Sequence, residues 1–172
     1  GTELLAAWRA DRNDLIALAR SVDPSSRVPW YGPAMAARSF ITARLMETWA
    51  HGQDVADALG VQRATTARLK HVAHIGVRAR PFSYMINGRL LPRLPPCASL
   101  RAPGGWRWEW GEPASDGVRG EALDFCLVVT QRRHLADTGL EVTGASAVEW
   151  MGFAQAFAGE PGTGRSPGQF AR

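Results

Sequence analysis

Residues 37–60 read Ala37-Arg38-Ser39-Phe40-Ile41-Thr42-Ala43-Arg44-Leu45-Met46-Glu47-Thr48-Trp49-Ala50-His51-Gly52-Gln53-Asp54-Val55-Ala56-Asp57-Ala58-Leu59-Gly60. The spacing predicts one long helix from about Ala37 to Leu59, entered at Ser39 or just before it and stopped by Gly60 as a glycine past the helix end. Ile41, Leu45, Trp49, Val55 and Leu59 form an apolar face. A neighbouring stripe reads Phe40, Arg44, Glu47, His51, Asp54 and Ala58, so four ionisable groups line up along an otherwise apolar helix. Side chains four residues apart stack on one helical face, which lets Glu47 and His51 address a single point. A carboxylate and an imidazole are ligands for zinc and neighbouring divalent metals. Asp54 is placed to orient the imidazole from behind, and Arg44 to hold Glu47. Two donors are fewer than the three a metal site needs, so an exposed, salt-bridged stripe is the competing reading of the same residues.

Upstream, Leu4, Leu5, Trp8, Leu15, Leu18 and Ala19 recur near helical spacing and predict a helix over 3–21, broken by Val22-Asp23-Pro24. Residues 27–33 contain two prolines and two aromatics and read as a rigid loop. Downstream, a helix is predicted over 65–80, ended by Pro81. These segments suggest a helical bundle. Prolines and glycines then punctuate 81–105 and mark a linker. Residues 98–102 and 106–110 read as a hairpin around Pro103-Gly104-Gly105, with Trp106, Trp108 and Trp110 on one sheet face. Residues 121–134 read as a helix with an apolar centre, its last residues Arg132, Arg133 and His134 complementing the C-terminal end of the dipole. A short strand over 140–143 and a helix over 145–158 follow. The expected organisation is thus a helical portion over 1–82, a linker over 83–97, a small α+β domain over 98–158 and a disordered tail over 159–172.

Hydrophobic residues make up 45% of the 172 positions and charged ones 21%, the composition of a folded globular chain with a real core. No apolar run approaches the ~20 residues of a membrane span, and Gly1-Thr2-Glu3 starts no signal peptide, so the expected location is the cytoplasm, with no membrane partner. The net charge is +4, carried almost wholly by arginine, with Lys70 the only lysine. The arginines are scattered among acids, which argues against nucleic acid and suits a small anionic substrate. Cys97 and Cys126 lack any metal or disulfide spacing and read as inert thiols. His71 and His74 share a face of the next helix without a partner carboxylate in sequence, and read as ordinary core or surface histidines. There is no Gly-x-Ser-x-Gly elbow, phosphate loop or dinucleotide fingerprint.

The stretch Ala43-Arg44-Leu45-Met46-Glu47-Thr48-Trp49-Ala50-His51-Gly52-Gln53-Asp54 resembles the mycothiol-dependent maleylpyruvate isomerase family. The C-terminal part is similar to that family's small domain through Arg132-Arg133, Leu140-Glu141-Val142-Thr143-Gly144 and the helix containing Trp150. The resemblance implies a mostly α fold: a DinB-like helical bundle, here incomplete, followed by a small α+β domain. It implies Glu47 and His51 as ligands of a divalent metal, zinc foremost, with Asp54 and Arg44 behind them. It also implies a low-molecular-weight thiol, mycothiol, as co-reactant, and Arg132, with Arg133 behind it, as the clamp on a substrate carboxylate. In the family a histidine from an early helix completes the metal site, and residues 3–21 contain none. The expectation is a chain without the first part of the bundle, or a divergent member; a chain without that part should be marginally stable or cover its apolar faces by pairing with a second copy as a homodimer. Two functions follow: a metal- and thiol-dependent isomerase or transferase, or a non-catalytic metal- or ligand-binding module with a reduced ligand set.

Overall fold

The computed structural model describes residues 1–30, 34–113 and 115–170. Tyr31, Gly32 and Pro33 of the proposed aromatic loop, and the last two residues of the tail, lie outside the described residues. The chain forms two compact units, Gly1–Arg44 and Leu45–Arg172.

The first unit begins with α1 (Thr2–Ser21), which has no buried residue and exposes Leu4, Leu5, Trp8, Ile16 and Leu18. Asp23 then closes a tight turn by accepting hydrogen bonds from the Ser25 amide at 2.9 Å and hydroxyl at 2.8 Å. Those bonds hold its carboxyl below the usual range. A two-stranded antiparallel ribbon, β1 (Arg27–Val28) with β2 (Met35–Ala36), leads into α2 (Ala37–Leu59). The first amides of α2 find acceptors in backbone: Ala37 donates to the Ser26 carbonyl and Arg38 to that of Pro24. Ser39 lies inside the helix, and no side chain is needed for those two amides. At the other end Gly60 takes φ +64°, the Gly60 amide donates to Asp57 and the Val61 amide to Ala56. This is a Schellman closure, as the glycine implied.

The second unit contains the rest of α2, then α3 (Leu69–Arg78), α4 (Arg80–Ile86), β3 (Cys97–Arg101), β4 (Arg107–Trp110), β5 (Gly117–Glu121), α5 (Ala122–Val129), β6 (Glu141–Thr143) and α6 (Ala145–Met151). The sheet order is β4-β3-β5-β6, with β3 and β5 parallel and the other pairs antiparallel. Alternation along the strands turns Leu100, Trp108 and Val118 into the core, where they join Phe125, Val129, Val72 and Trp150 from the helices. Gly76 lets α3 approach α5 closely, since a Cβ there would lie 2.7 Å from Val129 Cγ2.

Several expectations are corrected here. Pro81 does not end the helical stretch; it sits in the first turn of α4, where a missing N–H costs nothing. Residues 83–97 are not a free linker. Ser83 Oγ donates to the Gln155 carbonyl at 3.0 Å and accepts from the Gln155 amide at 3.0 Å, and Tyr84 donates to Glu149 at 3.0 Å. These bonds tie α4 to the C-terminal part, and the chain divides into its compact units after Arg44. Trp106 precedes β4 and is 77% exposed, so only Trp108 and Trp110 share a sheet face. The central strand β5 was not legible: Gly117-Val118-Arg119-Gly120-Glu121 has a single apolar residue, and a Cβ at Gly117 would lie 2.6 Å from Cys97 Sγ. The predicted helices over 121–134 and 145–158 stop at Val129 and Met151. The tail is held at points up to residue 170: the Gly162 amide donates to Gln155 Oε1 at 3.0 Å and the Gly168 amide to Asp137 Oδ1 at 2.8 Å. Among the described residues no helix is long and apolar enough to cross a membrane. Cys97 and Cys126 are buried and unbridged, and burial pushes the Cys126 thiol up, so it stays protonated.

Candidate metal-ligand pair and its arginine clamps

The stripe on α2 has a definite order within the second unit. Glu47 Oε2 stands 3.5 Å from His51 Nε2, and the other ring nitrogen, Nδ1, stands 3.3 Å from Asp54 Oδ2. The imidazole therefore lies between two carboxylates, one turn apart on either side. Its side chain is 70% exposed, so Nε2 is open to solvent. Asp54 is gripped in turn: Arg132 Nε donates to Oδ1 at 3.1 Å and Nη2 to Oδ2 at 2.8 Å, while Arg165 reaches Oδ1 at 3.3 Å. Burial pushes the Asp54 carboxyl up, but the Arg132 hydrogen bonds and charge, the His51 contact and Arg165 outweigh it and leave the group below the usual range. Asp54 is thus a fixed anion that holds the ring.

A second clamp, absent from the sequence reading, lies one turn on. Arg133 Nη1 donates to Asp57 Oδ2 at 2.7 Å and Nη2 to Oδ1 at 2.8 Å. Gln53 donates to the same carboxylate at 2.8 Å. The signal was there as two adjacent arginines facing two acids three residues apart, but pairing them requires knowing that 132–133 meets α2. What brings both guanidiniums to one helix is the end of α5. The Gln131 amide donates to Val128 and the Arg132 amide to Leu127, a Schellman closure in which Gln131 adopts φ +59°. Glycine is the usual residue there. Gln131 uses its side chain instead, donating to Ala154 O at 3.3 Å and Gln155 Oε1 at 3.3 Å.

That arrangement carries an expected result. Gln131→Gly should change stability by less than about 1 kcal/mol, because relief of ~1–2 kcal/mol of left-handed strain offsets the lost hydrogen bonds of ~0.5–1.5 kcal/mol each. Gln131→Val should cost about 2 kcal/mol, since a β-branched residue is an outlier at positive φ. Urea unfolding of both variants checks this; equal losses would show that the conformation at 131 is not what matters.

Arg132 and Arg133, expected to face a substrate carboxylate, face Asp54 and Asp57 because the turn at 131 aims them at α2. Arg44 is exposed and closes the first unit. His74 Nδ1 accepts from Trp110 Nε1 at 3.2 Å, and burial, with the Arg78 and His71 charges, keeps it below the usual histidine range, so it acts as a neutral acceptor. His134 accepts from the Ala136 amide and caps the 3₁₀ turn Leu135–Asp137 rather than a helix end.

The spacing of the two donors suits a single divalent ion. Two ligands on one tetrahedral ion at ~2.0–2.1 Å stand about 3.3 Å apart, close to the 3.5 Å between Glu47 and His51. A carboxylate on the distal ring nitrogen is the usual support of a ligating histidine. Among the described residues, however, no group of three or more His, Cys, Asp or Glu side chains converges as a metal site. These residues fit two positions of a divalent shell.

The chain thus has an α-rich N-terminal part, with an acid–imidazole–acid stripe on one helix, followed by an α+β part. Residues 1–56, which include Glu47, His51 and Asp54, match the family model of the mycothiol maleylpyruvate isomerase N-terminal domain. It is also 48% identical over 164 residues to uncharacterised proteins from two strains of Mycobacterium tuberculosis. The match takes in 95% of this chain and 64% of each relative. No solved structure matches it.

Proposed function

We propose that the protein is a divalent-metal-binding member of this family, zinc being the first candidate, in which a DinB-like bundle portion presents Glu47 and His51 as two of the ligands. The single observation that carries the reading is the ordered row Glu47, His51, Asp54, Arg132: one ring nitrogen faces a carboxylate across a metal-sized gap, and the other is pinned by an acid that is itself pinned. When bound, such a metal supplies the positive charge that deprotonates a low-molecular-weight thiol such as mycothiol. The chain's own residues do the positioning. Asp54 accepting a hydrogen bond from Nδ1–H selects the tautomer that leaves the Nε2 lone pair outward. Arg132 keeps Asp54 ionised and in place, and acts as a positioning residue; its guanidinium is occupied and does not serve as the clamp on an anionic substrate. The substrate belongs to the same proposal as a small anion of the maleyl type. A non-catalytic binding module is the second reading, favoured by the two-membered donor set among the described residues.

A melting series with zinc and with chelator tests the ligands. At a free zinc concentration about 100 times Kd the wild type should gain roughly 2.7 kcal/mol, which is about 5–10 °C for a chain of this size. Glu47→Ala/His51→Ala should melt like the wild type in chelator and show no zinc shift. A zinc shift that persists in the double variant means that the metal binds elsewhere and ends the reading. Incubation of the zinc-loaded protein with mycothiol and a maleyl substrate then separates the two functions.

A further inference from the structure

On the side of α2 opposite Glu47, His51 and Asp54, the second unit contains a cavity of about 450 Å³. Trp49, Gln53, Ala56 and Gly60 recur at helical spacing to form one wall, and Leu123, Leu127 and Phe170 form apolar parts of the rest. The size is that of a small-ligand site. Among the described residues three charged ones line it: Arg63, Arg133 and Asp57. Arg133 and Asp57 are joined at 2.7 Å and neutralise each other, which leaves a net charge of +1 on Arg63.

Arg63 is unlike the other arginines of the site. Among the described residues no carboxylate pairs with it. Nη1 donates to the Trp49 carbonyl at 2.7 Å, and the guanidinium carbon stands 5.8 Å from the centre of the Trp49 ring. The guanidinium is therefore anchored by one bond at the cavity mouth, with its remaining donors unspent. The helix gives it room: a Cβ at Gly52 would lie 3.0 Å from Arg63 Nη2. A glycine in the middle of a 23-residue helix is unfavourable, and at position 52 the space it leaves is filled by this guanidinium.

We propose that this cavity binds a monocarboxylate with an apolar body, the carboxylate on Arg63 and the hydrocarbon against Leu123, Leu127 and Phe170. A single uncompensated guanidinium suits one negative charge. A polyanion would bring further charge to the Asp57 side, where Arg133 is already neutralised. The inference is independent of the metal reading, because none of its residues belongs to the Glu47–His51 row.

Titration calorimetry on the full chain with octanoate as probe, and 1-octanol as its uncharged match, tests the proposal. Octanoate should bind saturably with one site, and 1-octanol at least about tenfold more weakly, as expected for loss of a charge-assisted hydrogen bond. Arg63→Gln should weaken octanoate by about the same factor. Gly52→Ala should displace the guanidinium and weaken octanoate several-fold without lowering the melting temperature, which separates loss of the site from loss of the fold. Glu47→Ala/His51→Ala should bind octanoate as the wild type does. Absence of saturable octanoate binding, equal binding of 1-octanol, or an undiminished affinity in Arg63→Gln would overturn the proposal. Loss of octanoate binding in Glu47→Ala/His51→Ala would do so too, by moving the anion to the other face of α2.

Discussion

Arg133→Met is expected to lower stability at pH 7 by about 3 kcal/mol, the cost of leaving one member of a largely shielded, part-buried pair without its partner. Asp57 is 9% exposed and Arg133 16%, and the two are joined by a two-pronged bond. Methionine keeps the apolar stem and removes the charge, so among the described residues Gln53 is the one side chain still hydrogen-bonded to Asp57, with the Arg165 charge acting from further away. The pH dependence follows from the carboxyl. The Arg133 hydrogen bonds, opposed by burial and helped by Gln53 and the guanidinium charge, hold Asp57 below the usual carboxylate range. A depressed folded-state value means that the pair's contribution is fully present above the unfolded value of about 3.9 and is lost as pH falls through the lower, folded value. Wild type and variant should therefore differ most above the unfolded value and converge as pH falls through the lower, folded value, where Asp57 becomes protonated in both. Urea unfolding at a series of pH values measures this. A deficit below 1 kcal/mol at pH 7, or one that does not shrink in acid, would show that the pair is not a buried ionic clamp.

Gly144→Ala should cost about 3–4 kcal/mol, by adding strain at a glycine-only conformation (~1–3 kcal/mol) to overpacking (~1–3 kcal/mol). Gly144 precedes α6 with φ +82° and ψ 152°. An alanine Cβ there would overlap the Asp116 carboxylate and approach the Asp116 Cα to 2.8 Å, so backbone must move. The same carboxylate accepts from the Ser146 amide at 2.9 Å and satisfies one of the first amides of α6. Displacing Asp116 should loosen the start of the helix that seats Trp150 in the core. Thermal unfolding reads the loss, and amide exchange should show reduced protection at Ser146 first. Full stability in Gly144→Ala would mean that the turn at 144 has another conformation.

The α2 stretch was legible because its signals are local. Helical periodicity, the terminal Gly60 and the i, i+4 spacing of Glu47 and His51 depend only on residues within a few turns of one another, and the structure puts α2 over Ala37–Leu59 with those two side chains in contact. The hairpin β3–β4 was legible for the same reason, since Pro103-Gly104-Gly105 lies between two short strands paired in antiparallel register. Where local signals conflicted, prediction drifted. Pro81 reads equally as a stop or as a first-turn residue, and only the packing of α4 against α6 selects the second. A strand as poor in apolar residues as β5 forms because β3 and β6 pair with it on both sides.

By itself the sequence determined that α2 exists, where it ends, and that Glu47, His51 and Asp54 occupy one stripe of it. It also determined that arginine carries the positive charge. The tertiary structure alone decided what those arginines do. Arg132 and Arg133 lie more than seventy residues from Asp54 and Asp57 along the chain, and they meet them only because Gln131 turns the backbone after α5. Among the described residues Arg63 is left without an acid, on the side of α2 away from that stripe. The physical reason is range: backbone periodicity and turn chemistry act between neighbours in sequence. Charge pairing and burial act between neighbours in space, and those neighbours are chosen by the packing of the whole unit.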